Sequence, residues 1–129
     1  MVTGVDRGQL GAHMSTPDAK MMVSGMGTDL GGDDSGPTPH EYLEAALAAC
    51  TIITVKMYAQ RRKLPLINTH VEVNTQHDGD TTTLFRNIFF EGDLSEENRT
   101  KLLEIANKCP IHKLLSGKII VQTIQKDSL

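Results

Sequence analysis

Two cysteines are the residues of this chain that are best suited to chemistry. Cys50 lies in an apolar run that begins at Ala45, and Cys109 stands immediately before Pro110, where a helical pattern must stop. A thiolate is a nucleophile and a metal ligand, and two thiols can also be oxidised to a disulfide. The chain has only these two cysteines, so they are either inert core residues or a reactive dithiol.

A reactive Cys50 needs an activating group, because a free cysteine has a pKa of about 8.5. The sequence predicts a helix over 39–62, and Cys50 lies roughly 16 Å along it, beyond the reach of the helix dipole. A basic side chain must therefore be brought to it. Lys56 points to another face of the helix, whereas Arg7 lies in a polar segment that can fold over the site.

His40 and Glu41 are two further candidates at the start of the predicted helix. Along one straight helix they lie about 14–15 Å from Cys50, so neither can touch it there. Either one acts on the Cys50 of a second subunit, or the chain bends first. The alternative is that both residues cap the helix and face solvent.

A further hypothesis is that the thiols bind a metal ion. Cys109 and His112 are spaced as Cys-x-x-His, and Cys50 could add a third ligand. Structural zinc usually takes four ligands, often from tight cysteine pairs, and no second pair exists here. The pattern therefore disfavours metal. The residues alone leave two structural thiols and a reactive pair equally open.

Length and composition restrict the class of protein. The 129 residues fit one domain, and the net charge of −3 argues against a nucleic-acid partner. The short basic run 61–63 fits the end of a helix. The start of the chain lacks a signal-peptide pattern, and no apolar segment is expected to reach the roughly 18 residues that span a membrane. We therefore expect a cytosolic protein without a membrane partner, in which a permanent disulfide is improbable.

The remaining patterns predict a single α+β domain over 1–129, with an antiparallel sheet packed on two helices. In chain order we expect an N-terminal hairpin and loop segment over 1–38 with one clear strand at 20–24, a central helix over 39–62, strands over 66–77 and 82–91, a second helix after Ser95, and a last strand over 119–124. Asp78-Gly79 is a strong hairpin signal between the two longer strands. The helix is apolar nearly all round from Ala45 to Val55, so we expect a partner subunit to cover it.

Two cysteine motifs resemble the OsmC/Ohr family, the osmotically inducible and organic hydroperoxide resistance proteins. The first motif is LGGDDSGPTPHEYLEAALAACT over 30–51, followed by Met57-Tyr58-Ala59 and Leu64-Pro65-Leu66. The second is Lys108-Cys109-Pro110-Ile111-His112, with a fitting segment before it over 99–106. The resemblance covers the chain from about residue 20 to its end.

The resemblance implies an intertwined α+β homodimer with long central helices and outer sheets. It also implies a thiol-dependent peroxidase that reduces organic hydroperoxides without a metal or other cofactor. By position, Cys50 matches the peroxidatic cysteine and Cys109 the resolving cysteine. An external dithiol, such as a lipoylated protein, would then reduce the disulfide between them.

Two features depart from the pattern of the peroxidases. The family's glutamate position, ten residues before the first cysteine, is occupied by His40, and the acid is Glu41 beside it. The activating arginine follows a Thr-Gly pair, and here Arg7 follows Thr3-Gly4 with extra residues between. The chain thus resembles the OsmC-like branch, with a modest peroxidase rate expected. The alternative function is a redox-sensing or small-ligand-binding stress protein.

Overall fold

The computed structural model describes residues 1–129, which form two compact units, 1–45 and 46–129. In the first unit, β1 (Thr3–Gly8), β2 (Gly11–Ser15) and β3 (Met21–Gly25) form an antiparallel sheet in that order. The sequence predicted clearly only the third of these strands. The first turn is hard to recognise because Gln9 and Leu10 adopt its positive φ angles, of 49° and 55°, in place of the usual Asn-Gly.

The central helix, α1 (Pro39–Arg61), agrees with the prediction to within one residue. It begins with a capping box in which the Thr38 Oγ1 accepts from the Glu41 N–H at 3.2 Å, while the Glu41 Oε1 accepts from the Thr38 N–H at 3.0 Å. Its buried residues recur every four positions and form a single stripe: Leu47, Thr51, Val55 and Ala59. The helix therefore buries one face within the chain, and Ile53 remains 57 % exposed.

The expectation that no segment is apolar enough to span a membrane is corrected by α1. This helix is long and apolar enough to cross a bilayer, by length and composition alone. The charged residues Glu44 and Lys56 interrupt the apolar run within the helix, although its overall composition is apolar. One such helix is weak evidence for a membrane, because the core helix of a soluble protein passes the same test.

The predicted hairpin is formed by β4 (Leu66–Asp78) and β5 (Thr81–Gly92), paired antiparallel in a sheet of their own. Asp78 pairs with Thr81 across the turn, where Gly79 has the positive φ of 60° that this turn requires. Side chains alternate as predicted along β4. On β5 the inward positions are the even-numbered ones: Leu84, Arg86, Ile88 and Phe90.

The second helix, α2 (Glu96–Ala106), begins after Ser95 as predicted, and the Ser95 hydroxyl accepts from the Asn98 N–H at 3.1 Å. The core lies between this helix, the later part of α1 and the end of β5. Its buried members are Val55, Ala59, Phe90, Leu94, Leu102 and Ala106. Arg99 joins α2 to β5 by donating to the carbonyl oxygens of Phe90 and Gly92 at 2.8 and 3.0 Å.

The end of the chain differs from the prediction. The second helix ends at Ala106 instead of continuing to Cys109, and Cys109 instead caps a short third helix, α3 (Pro110–Ser116). The predicted last strand over 119–124 is wrong, because no strand of this chain pairs with that segment. Its apolar side chains remain exposed, with Val121 and Ile124 each at 84 %.

Candidate active site

The structure brings Cys50 and Cys109 together. Both are free thiols, and the Cys50 side chain lies within hydrogen-bonding reach of the Cys109 sulfur. Cys50 projects from the middle of α1 and is half-buried, whereas Cys109 has no exposed surface. Two thiols in contact can lose two electrons and two protons to form a disulfide. Of the two sulfurs, Cys50 is the one that a molecule from solvent can reach.

The local structure around Cys109 favours its thiolate. Its backbone is extended before Pro110 begins α3, and its Sγ accepts from the His112 N–H at 3.2 Å. Burial by itself would raise the pKa of Cys109. The pKa is nevertheless lowered, by the His112 hydrogen bond, by hydrogen bonds with the Cys50 and Thr51 side chains, and by the positive charge of Arg86.

Arg86 is the centre of the hydrogen-bond network beside these thiols. Its Nη1 donates to the Thr51 Oγ1 at 3.0 Å and to the Ala106 carbonyl oxygen at 3.4 Å. Its Nη2 contacts the Asn107 Oδ1 at 2.8 Å and the His112 Nδ1 at 2.9 Å. One guanidinium on β5 therefore ties α1 to the turn that carries Cys109 and to α3.

The contact with Arg86 defines the state of His112. Burial lowers the pKa of this histidine, and the Arg86 charge lowers it further. Because a guanidinium can only donate, the His112 Nδ1 accepts and the ring proton lies on Nε2. The ring is thus a neutral imidazole whose Nε2–H is a hydrogen-bond donor.

Thr51 connects the helix to the thiols. It is fully buried, and its hydroxyl donates to the Leu47 carbonyl oxygen at 2.7 Å while accepting from Arg86. The same hydroxyl lies within hydrogen-bonding reach of Cys109. Since it has a single proton, it can turn that proton toward the Cys109 sulfur when the sulfur is ionised.

A cavity of about 270 Å³ lies beside His112. It is partly apolar and is large enough for a small organic molecule. Its other lining residues are Leu47, Thr82, Thr83, Leu84, Leu115 and Ser116. The structure holds no group of three or more His, Cys, Asp or Glu side chains arranged to bind a metal ion.

The supporting residues predicted from the sequence have other partners in the first unit. Arg7 forms an ion pair with Asp33, with its Nη1 at 3.0 Å from Oδ2. The nearby Ser35 side chain and the Arg7 charge lower the pKa of Asp33. Glu41 belongs to the capping box, and His40 is exposed at the first turn of α1. Their proposed roles toward Cys50 stay predictions.

Arg86 and Thr51 were not recognised from the sequence, although one signal for Arg86 was present. The inward positions of β5 are apolar at Leu84, Ile88 and Phe90, and Arg86 shares their face by its even spacing. A lone charge on an apolar strand face is expensive to bury unless it has specific partners. Thr51 offers no comparable signal, because threonine is common on helix surfaces and in cores alike.

The sequence model of the OsmC-like protein family matches residues 32–124, well over half of the chain and including both cysteines. The chain belongs to the OsmC-like protein family. No curated protein matches the chain.

Solved structures of OsmC and Ohr proteins are similar to this OsmC-like chain. The organic hydroperoxide resistance protein OhrB of Bacillus subtilis has 20 % identity and a TM-score of 0.65, covering 91 % of this chain and 90 % of its own. The organic hydroperoxide resistance protein OsmC of Legionella pneumophila has 21 % identity, a TM-score of 0.65 and coverages of 91 % and 88 %. An OsmC like protein from Mycoplasma pneumoniae has 16 % identity, a TM-score of 0.72 and coverages of 91 % and 86 %. These similarities confirm the α+β OsmC/Ohr fold.

Proposed function

We propose that this protein is a thiol-dependent peroxidase that reduces organic hydroperoxides with Cys50 and Cys109. The observation that carries the proposal is the neighbouring pair of free thiols, within hydrogen-bonding reach of each other, one half-buried and the other fully buried. The half-buried sulfur is open to a substrate. The buried Cys109 sulfur lies next to Cys50, where it can react with the oxidised Cys50 sulfur.

The reaction proceeds in two steps on the protein. The thiolate of Cys50 attacks the distal oxygen of the hydroperoxide, the O–O bond breaks, and the alcohol leaves after taking a proton. Cys50 is then a sulfenic acid. The thiolate of Cys109 attacks the Cys50 sulfur, hydroxide leaves as water after protonation, and a disulfide forms. An external dithiol returns both sulfurs to thiols and becomes a disulfide itself.

Two observations support this sequence of events. The hydrogen bonds and the positive charge that lower the pKa of Cys109 increase its thiolate fraction, which the second step requires. In addition, the similar structures from Bacillus subtilis and Legionella pneumophila carry the description of organic hydroperoxide resistance proteins. No part of this chemistry needs a metal or a bound cofactor.

We also propose that the protein acts as a homodimer in the cytosol, where external dithiols are available. A partner subunit would cover apolar side chains that the single chain leaves exposed. On the second unit these include Ile53, Met57 and Phe89, of which Phe89 is 63 % exposed. The C-terminal segment adds Val121 and Ile124. Light scattering on the purified protein tests this proposal, and a monomer at micromolar concentration would contradict it.

A redox sensor with little turnover is the second candidate function. The ion pair between Arg7 and Asp33 favours it, because the family resemblance implies an arginine from this segment as the activator of the attacking thiol. A sensor would be oxidised once to the disulfide and would wait for its reductant. It would use the same two sulfurs, so turnover separates the two functions.

The decisive experiment measures consumption of cumene hydroperoxide with dithiothreitol present. The peroxidase consumes many equivalents at a rate well above that of dithiothreitol alone, whereas a sensor that is oxidised slowly adds little to that background rate. Cys50→Ser is expected to abolish consumption. In a separate reaction without dithiothreitol, Cys109→Ser is expected to form no disulfide and to leave a sulfenic acid on Cys50 that dimedone traps. Circular dichroism shows whether each variant is folded. Unchanged turnover in Cys50→Ser would refute the proposed function.

A further inference from the structure

We propose that Arg86 is a positioning residue that prepares Cys109 to leave as a thiolate when the disulfide is reduced, so that the external dithiol attacks Cys50. This inference rests on the proposed function, because it concerns the reductive half of the same cycle. In the reduction of the disulfide, the Cys50 sulfur is attacked by the reductant and the Cys109 sulfur is the leaving group.

The position of Arg86 supports this role. It reaches three parts of the second unit at once: Thr51 on α1, Asn107 in the turn before Cys109, and His112 on α3. Two of these residues also act on the Cys109 sulfur: His112 donates its backbone N–H to it, and the Thr51 hydroxyl lies within hydrogen-bonding reach of it. Arg86 therefore holds in place the groups that stabilise a negative charge on Cys109.

The charge of Arg86 is also available to a thiolate. Its four acceptors are a hydroxyl, a carbonyl oxygen, an amide oxygen and a neutral imidazole, and none of them is negative. Arg7, by contrast, has its charge balanced by Asp33. A part-buried guanidinium without a carboxylate partner stabilises a nearby anion strongly, because the surrounding dielectric is low.

The two sulfurs differ in their accessibility to an external thiol. Cys109 has no exposed surface, so an external thiol cannot approach it, while Cys50 is half-buried. In thiol–disulfide exchange the attacking thiolate needs access to one sulfur, and the other leaves faster when its pKa is lower. Burial selects Cys50 as the sulfur attacked, and the Arg86 network selects Cys109 as the leaving group.

Reduction of the disulfide takes two thiol–disulfide exchange steps. One thiolate of the dithiol bonds to the Cys50 sulfur, the Cys50–Cys109 bond breaks, and its electron pair departs with Cys109 as a thiolate. The second thiol of the reductant, after losing its proton, attacks its own sulfur partner in the mixed disulfide and releases Cys50 as a thiolate. The dithiol loses two electrons and becomes a cyclic disulfide, and the two protons from the reductant restore the two protein thiols.

The first test locates the attacked sulfur. The wild-type disulfide is formed with diamide, which needs no peroxide, and is then exposed to excess 2-mercaptoethanol and quenched in acid. Peptide mapping by mass spectrometry is expected to find the mixed disulfide on Cys50. An adduct mainly on Cys109 would overturn the inference, and so would the failure of diamide to form the bridge.

The second test measures the contribution of Arg86. Reduction of the diamide-formed disulfide by dithiothreitol at pH 7 is expected to be about threefold slower or more in Arg86→Met, since rates of exchange change roughly threefold for each pKa unit of a participating thiol. The matched control is Arg99→Met, which removes another arginine of the same unit that binds only backbone carbonyls of β5. Equal rates in the two variants would overturn the inference.

A third measurement separates positioning from a general effect on folding. In the Cys50→Ser background, the thiolate absorbance near 240 nm reports the titration of Cys109 alone. Arg86→Met is expected to move that titration to higher pH, and Arg99→Met to leave it in place. If Arg86→Met does not fold, Arg86→Gln replaces it, because it removes the charge and keeps a side-chain amide donor, and a titration identical to that of the Cys50→Ser parent would then count against the inference.

The outcomes for the two proposals are distinguishable. A wild-type protein that ignores cumene hydroperoxide, but whose diamide-formed disulfide still depends on Arg86, refutes the peroxidase function alone. A wild-type protein that turns over hydroperoxide, with a reductive rate that is the same in Arg86→Met and Arg99→Met, refutes the role of Arg86 alone.

Discussion

Removing the Thr51 hydroxyl tests whether the hydrogen bond between α1 and Arg86 stabilises the fold. Thr51→Val keeps the shape of this fully buried side chain but removes the acceptor of the Arg86 Nη1, which then retains only the Ala106 carbonyl oxygen at 3.4 Å. The Leu47 carbonyl oxygen stays bonded within the helix. A buried hydrogen bond to a charged donor contributes about 1.5–3 kcal/mol, and partial exposure of the network reduces this, so we expect a loss of about 1–3 kcal/mol in the free energy of unfolding.

A double-mutant cycle makes this prediction specific. Thr51→Val and Arg86→Met are measured alone and together by urea unfolding, with dithiothreitol present and the protein concentration held constant. Because both single changes break the same hydrogen bond, we expect the combined loss to be smaller than the sum by about 1 kcal/mol. Thr51→Ser is the control: it keeps the hydroxyl, so its coupling to Arg86 is expected to be retained although it loses a buried methyl group. If the losses for Thr51→Val and Arg86→Met add to within about 0.5 kcal/mol, the two side chains are not coupled and the prediction is wrong.

Three further predictions concern protonation and capping. Because the pKa of Cys109 is lowered in the folded state, its ionisation stabilises the fold at alkaline pH, and this stability is lost as the pH falls through the folded pKa. The free energy of unfolding of Cys50→Ser, relative to that of a variant lacking both thiols, should therefore rise from pH 6 to 9.5. A difference that does not change with pH would contradict the lowered pKa. The pKa of His112 is also lowered, so the unfolded state binds a proton more readily and acid favours unfolding. Between pH 7 and 5, His112→Gln should therefore lose less stability to urea unfolding than wild type. Equal losses would argue against a neutral His112 ring in the folded protein. Glu41→Gln keeps an acceptor for the capping box, so its stability and its hydroperoxide turnover should both match those of wild type. A normal melting temperature with a large drop in turnover would instead support the catalytic role predicted for Glu41.

The local elements could be predicted because their signals lie within a few residues of chain. Pro39 and Glu41 mark the start of α1, Asp78-Gly79 marks the hairpin, and Ser95 caps α2. Each signal works through hydrogen bonds or backbone angles of near neighbours, which are the same wherever the element finally packs.

The features that the sequence did not predict correctly depend on pairing between distant parts of the chain. The strand predicted at 119–124 has a strand-like sequence, but a strand exists only where another strand completes its hydrogen bonds, and this chain supplies none. The turn at Gln9 and Leu10 uses positive φ angles without glycine or asparagine, because the pairing of β1 with β2 imposes them. Neither outcome can be deduced from the residues of the segment itself.

The cysteine pair likewise combines features that are local in the sequence with features that depend on the packed fold. By itself the sequence determined that Cys50 lies too deep in a helix for the dipole to activate it, and that Cys109 stands before the proline of another element. The packed fold was needed to show that the two cysteine side chains are neighbours, that the pKa of Cys109 is lowered, and that Arg86 lies in the hydrogen-bond network beside them. Burial and charge at a sulfur depend on neighbours that are distant in the chain: Arg86 and Thr51 are 35 residues apart, and only the packed fold places them in contact.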